Sequence, residues 1–177
     1  VGVEDEVGQQ RASASLLWLV VTVAGCIVVL DQLTKAWAVA RLKGAPPIEI
    51  VGTWLQFTYG ENTGAAFGIG TGFTWIFTAI AIVVAVVIIR TARRLGNMWW
   101  AIALGGLLGG AVGNLIDRLI RPPGPGQGYV VDFIALPNFP IFNIADMAIT
   151  ISAGLMIWLT VRGVDLTGRP SVGARGG

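Results

Sequence analysis

The sequence predicts an all-α membrane protein with a small β element: four transmembrane helices plus an external β-rich segment. Three observations predict it. The 177 residues are 54% hydrophobic and only 12% charged, with a mean hydropathy of +0.73, far from the average of soluble domains. The apolar residues gather into four stretches, each approaching the roughly 20 residues that cross about 30 Å of hydrocarbon. Between them lie two Gly- and Pro-bearing connections too long for bare loops, which marks them as carriers of function.

The first stretch runs from Leu16 to Trp37, apolar to Leu30 and then interrupted by Asp31, Gln32 and Lys35. Glu4, Asp5, Glu6 and a single Arg11 precede it, so it lacks the basic start and small-residue cleavage site of a secretory leader and reads as a span. Residues 1–15 are expected to be a disordered tail. In the connection 38–72, the run IEIVGTWLQFTY alternates Leu55, Phe57 and Tyr59 with Gln56 and Thr58, predicting a strand. The second span is expected over 73–89 and the third over 98–117. Gly105, Gly109 and Gly113 lie at i, i+4 and i+8 of the third, a spacing that lets helix backbones approach closely. The connection 118–140 contains YVVDF, Tyr129 to Phe133, bounded by PPGPGQG and LPNFP, and reads as another short strand. The fourth span is expected over 141–161, closing a domain of 16–161, and residues 162–177 form a second tail expected to be disordered.

Four spans put both termini on one side. Arg11, Arg90, Arg93, Arg94, Arg162, Arg169 and Arg175 share that side, against Arg41, Lys43, Arg118 and Arg121 on the other. The first side is therefore assigned to the cytoplasm. The net charge of +2 is too small and scattered for a nucleic-acid surface. Cys26 is the single cysteine and histidine is absent, which excludes an intrachain disulfide, Ser/His and Cys/His nucleophiles and the usual zinc sets.

Chemistry then falls to polar residues within the spans. Asn114 and Asp117 are three apart near the outer end of the third span, and Asn143 and Asp146 three apart near the outer start of the fourth, so each pair is expected on one helical face. Asp117 is roughly 27 Å from Trp99 and Asp146 roughly 22 Å from Val161 along their helices, a similar depth. A charged aspartate at mid-membrane costs on the order of 2.5–3.5 kcal/mol, so two of them need a reason. A structural reading pairs Asp117 with Arg118 and sets Asp146 at a helix N-terminus, where an anion is favoured. A functional reading joins the two carboxylates as one proton-sharing pair able to activate water against an amide. Asp31 and Lys35, at i, i+4, read as an in-helix ion pair, and Asp132, in the external strand, as a solvated or loop-tying group. The stretch ENTGAAFG, Glu61 to Gly68, has small residues that allow close backbone approach and an amide, Asn62, able to hold a peptide. A metal site of Asp117, Asp132 and Asp146 is specified by no spacing.

Together DQLTK (Asp31 to Lys35), ENTGAAF (Glu61 to Phe67), GNLIDR (Gly113 to Arg118), VVDF (Val130 to Phe133) and FNIAD (Phe142 to Asp146) resemble the lipoprotein signal peptidase, or signal peptidase II, family. The resemblance covers about residues 16 to 161. It implies an intramembrane aspartic endopeptidase of the bacterial cytoplasmic membrane, with both termini cytoplasmic and its active site toward the outer face. Such an enzyme removes the signal peptides of prolipoproteins by cutting before a diacylglyceryl-modified cysteine. Carried over, it makes Asp117 and Asp146 the catalytic pair and sets Asn62, Gly64, Asn114, Arg118 and Asn143 around the substrate. Asp31, Lys35 and Asp132 become supports. The implied partners are diacylglyceryl-modified prolipoprotein signal peptides and membrane phospholipid, with no metal or other cofactor and no nucleic acid.

Two other readings come from different classes. A small proton-coupled transporter would use the same carboxylates, but they lie toward one interface and the spans show no inverted repeat. A non-enzymatic assembly factor would use the Gly-rich third span to bind a partner helix. Cleavage of a lipidated precursor by the pure protein separates both from a peptidase.

Overall fold

The structure, a computed structural model, describes residues 2–64 and 74–168, with side chains from Ala14 onward. Its elements are helix α1 (Gly2–Leu42), strands β1 (Ile48–Val51) and β2 (Leu55–Asn62), helices α2 (Thr74–Ala92) and α3 (Met98–Ile120), strand β3 (Val130–Ala135) and helix α4 (Ile144–Val161). All four helices are long and apolar enough to cross a membrane.

The boundaries follow local chemistry. No proline interrupts residues 2–42, so α1 extends beyond the expected 16–37 at both ends and takes in most of the expected tail. It stops before Gly44, whose φ of +76° suits a helix C-terminus, and before the Pro46-Pro47 pair. Helix α3 runs three residues past the expected end and stops at Arg121, ahead of Pro122 and Pro123. Helix α4 starts later than the expected Ile141, because Asn143 is its N-cap. Asn143 accepts a hydrogen bond from the Asp146 backbone N, and Asp146 accepts one from the Asn143 backbone N. The N-x-x-D spacing read as one helical face is thus a capping box.

Helix α3 is the axis of the bundle. Of its most apolar stretch 61% is buried inside the protein, against 17% in each of the other three helices. Its glycines make two seams. A Cβ on Gly109 would lie 2.9 Å from the Ala24 backbone O of α1, and one on Gly110 would lie 2.5 Å from the Ala145 backbone O of α4. Large side chains fill the other end, where Val20, Ile88, Leu95, Trp100, Leu104, Leu108 and Leu159 form the lower core. The chain leaving α4 turns back onto the α2–α3 connection: Gly96 N donates to Leu166 O (3.0 Å) and Trp100 Nε1 to Val164 O (2.9 Å).

At the opposite end sits an antiparallel sheet of order β1-β2-β3. Leu55, Phe57 and Tyr59, the alternating residues of the sequence, pack toward a second core with Ala38, Leu42, Val131, Phe133 and Ile134. Trp37, Phe57 and Phe133 meet edge to face there. Ile134 exchanges backbone hydrogen bonds with Phe142, which delivers the chain to the start of α4. Strand β3 is thereby held between the C-terminal end of α3 and the N-terminal end of α4.

Candidate functional site

The polar motifs converge beneath the sheet in two layers. The deeper one is ionic. Lys35 is fully buried, and its Nζ lies 2.8 Å from Asp31 Oδ2, 3.1 Å from Asp117 Oδ2 and 2.9 Å from Asn114 Oδ1. An ammonium has three N–H donors, and three acceptors meet it here. Asp31 Oδ1 accepts from the Ala145 backbone N in the first turn of α4 (2.9 Å). A Cβ on Gly113 would come within 2.7 Å of Asp31 Oδ2, which accounts for the glycine that opens GNLIDR.

Asp117 is tied down on both oxygens. Oδ1 accepts from Arg121 Nε (2.8 Å) and Oδ2 from the Val131 backbone N (3.1 Å) as well as facing Lys35. Its ion-pair partners are Arg121 and Lys35, not the Arg118 considered from sequence. Asp31, Asp117, Lys35 and Arg121 carry two charges of each sign, so the layer closes on itself.

The outer layer is built from amides and the other two aspartates. Asn114 Nδ2 donates to Asp146 Oδ1 (2.8 Å), while Asn114 Oδ1 accepts from Lys35 Nζ. Asn143 Nδ2 lies 2.6 Å from Asp132 Oδ1 and its backbone N 3.2 Å from Asp146 Oδ2, so a single residue holds both carboxylates. Asn62 Nδ2 donates to Asp132 Oδ2 (2.9 Å) across the β2–β3 pairing, and Asn62 Oδ1 accepts from Gly64 N (2.8 Å). The structure therefore brings all ten sequence-selected positions to one end of the bundle, with Asp146 beside Asp132 and both held by Asn143. Ala65 to Gly68 of ENTGAAFG lie outside the described residues.

Asp132 opens onto a cavity of about 290 Å³ lined by Gly60, Glu61, Asn62, Thr63, Asp132, Pro140 and Ile141. Burial, and next the negative charge of Asp146, push its carboxyl up to about 6, against the N–H donors of Asn62 and Asn143. At the rim, the hydrogen bond from Lys43, with one from Tyr59, holds the Glu61 carboxyl below its ordinary range. Arg118 is buried with its guanidinium over the Phe77 ring (5.3 Å), and its Nη1 has no hydrogen-bond partner among the described residues. A buried donor without an acceptor is costly and marks a place where a bound carbonyl or phosphate oxygen would be held.

Sequence reading missed Arg121 as the counter-ion of Asp117, although the i, i+4 spacing was there to find it. It also missed the coupling of Asp132 to Asp146, which comes from folding β3 against α4 and leaves no mark in local spacing.

The comparisons with known proteins agree with this architecture. A family profile described as Signal peptidase (SPase) II matches residues 23–162. The lipoprotein signal peptidase of Streptomyces griseus is 48% identical, over 93% of this chain and 88% of its own. That of Streptomyces coelicolor is 54% identical, over 78% and 68% respectively, and that of Mycobacterium avium 44%, over 84% and 82%. A bacterial membrane enzyme solved by the in meso method at 1.9 Å superposes with a TM-score of 0.72 at 32% identity, covering 81% of this chain and 92% of that one. With its four spans and its sheet at one end, this chain belongs to the signal peptidase II family of membrane peptidases.

Proposed function

We propose that this protein is an aspartic endopeptidase that removes signal peptides from bacterial prolipoproteins by cutting before a diacylglyceryl-modified cysteine. Its working pair of carboxylates is Asp132 and Asp146. The observation that carries this reading is the setting of Asp132: it opens onto a cavity, it is pushed up to about 6, and it shares Asn143 with Asp146. Asp117, the partner expected from sequence, is enclosed by Lys35 and Arg121 and serves as their counter-ion. Both of its oxygens are already engaged, by these cations and by the Val131 backbone N.

One proton shared between Asp132 and Asp146 suffices for hydrolysis. The ionised carboxylate takes a proton from water as the water oxygen adds to the scissile carbonyl carbon. The protonated one donates to the carbonyl oxygen, where negative charge develops. Collapse breaks the C–N bond and a proton passes to the leaving amine. Asn62 and Asn143 orient Asp132, Asn114 orients Asp146, and the spare N–H of Arg118 is available to a substrate carbonyl or a lipid phosphate. The site sits near a helix end rather than at mid-bilayer, so a lipid-anchored cysteine stays in the membrane while its peptide bond meets the pair. This position, toward one interface and roofed by a sheet, favours a peptidase over a transporter.

The test is cleavage of a lipidated precursor peptide by pure protein in detergent, with folding followed by thermal melt. Asp132→Asn and Asp146→Asn are each expected to lose nearly all turnover, a drop of about 10³-fold or more, while staying folded. The same precursor without its diacylglyceryl group is expected to be cut poorly. A folded Asp132→Asn protein with near wild-type turnover would return the catalytic role to Asp117.

A further inference from the structure

At the end of the bundle away from the carboxylates, Arg90, Thr91, Arg93, Arg94, Leu166 and Thr167 line a cavity of about 610 Å³. Its wall is built. The chain after α4 is bonded to the α2–α3 connection through Gly96 N and Leu166 O, and Gly96 is packed so closely that a Cβ there would collide with Thr167 O. The cavity is therefore a fixed cleft between two anchored segments, not the gap beside a loose loop.

Its chemistry is one-sided. Three guanidiniums arise within five residues, all exposed, and among the described residues that line the cavity none is acidic. The nearby Asp165 accepts hydrogen bonds from Thr167 N and Thr167 Oγ1 in its own turn. The three guanidiniums line one cleft, where a bound anion would offset their mutual repulsion. Arginine forks with the Thr91 hydroxyl beside them match the oxygens of a phosphate. Depth selects the source of that phosphate. Trp99 and Trp158 are about half exposed nearby, at 52% and 50%, and Arg162 lies over the Trp158 ring (5.4 Å). Exposed tryptophans mark the bilayer interface, where lipid headgroups lie.

The geometry points to this cleft as a binding site for the phosphate of an anionic phospholipid headgroup, separate from the carboxylate site and not involved in cleavage. The experiment uses the full chain in a neutral detergent and reads Tm against added phosphatidylglycerol, phosphatidylcholine or inorganic phosphate. Phosphatidylglycerol is expected to raise Tm saturably by about 5 °C, with little effect from phosphatidylcholine or from inorganic phosphate at the same concentration. The Arg90→Gln/Arg93→Gln/Arg94→Gln protein is expected to lose that shift while keeping its lipid-free Tm, since none of the three side chains lies in the core. The triple Lys variant keeps the charge without the fork and is expected to recover only part of it. Arg162→Gln, which removes a charge from the same end but outside the cleft, is expected to keep it. A full shift in the triple Gln protein overturns the site. Equal loss in Arg162→Gln overturns it as a diffuse charge effect, and a full shift with inorganic phosphate alone overturns the lipid as its ligand.

Discussion

Val131 and Asp132 divide two tasks between neighbouring residues: the backbone N of the first donates to Asp117, and the side chain of the second faces the cavity beside Asp146. What separates the aspartates is the company each keeps. Asp117 has two cations within 3.1 Å, whereas Asp132 has two amide donors and a neighbouring negative charge. Asp132 therefore carries a testable pH signature. Its ordinary value is 3.8 and burial pushes it up to about 6, so between those limits the folded protein binds a proton that the unfolded chain does not. Stability from this group is fully present below about pH 4 and is lost as pH rises through about 6, by up to about 3 kcal/mol. Thermal melts from pH 4 to 8 are expected to show this decline in wild type and a flatter curve in Asp132→Asn, and parallel curves would refute it. The sequence showed four aspartates and three asparagines in these motifs. It did not show which carboxylate would be neutralised, because Lys35 reaches Asp117 from another helix and Asp132 reaches Asp146 through a strand.

Helix α3 shows what glycine spacing does at the scale of an element. Gly105 and Gly109 admit the backbone of α1, while Gly110 and Gly113 admit α4 and Asp31. The close approach holds Asp31 within reach of the Ala145 backbone N, so packing and polar chemistry depend on the same small residues. Gly110→Ala pushes a methyl against a backbone carbonyl that cannot rotate away and is expected to cost about 1–3 kcal/mol. Gly154→Ala in α4 meets open space and is expected to gain up to about 1 kcal/mol from helix propensity alone. Melts of the two single variants decide the matter, and equal effects would show that the seam tolerates bulk. The four helices were legible from the length of their apolar runs, and the glycine seam and the strands from i, i+4 and two-residue patterns, all of which are local. Asn143 was misread as a helical residue because an N-cap and a helical face share the same i, i+3 spacing, and only the extended backbone at Asn143 tells them apart.

Across the whole molecule, the sheet and the carboxylates occupy one end and the Arg90–Arg94 connection the other. Arginine content predicts a cytoplasmic position for the second end, so the Arg118 to Pro140 segment is expected outside. In a Cys26→Ala background, an introduced cysteine at exposed Gln127 should react with a membrane-impermeant maleimide added to intact cells. Labelling only after lysis would reverse the orientation, and with it a site that meets exported substrates. The neutral cluster of Asp31, Lys35, Asp117 and Arg121 bears on biogenesis as well. Helix α1 is synthesised and enters the bilayer before α3 exists, and a bare lysine there would cost on the order of 3 kcal/mol. Asp31, one turn before Lys35, is the counter-ion that travels with it, and Arg121 does the same for Asp117. Each helix arrives already compensated, so when the bundle closes, Lys35 turns part of an existing bond toward Asp117 instead of bringing an unpaired charge through lipid.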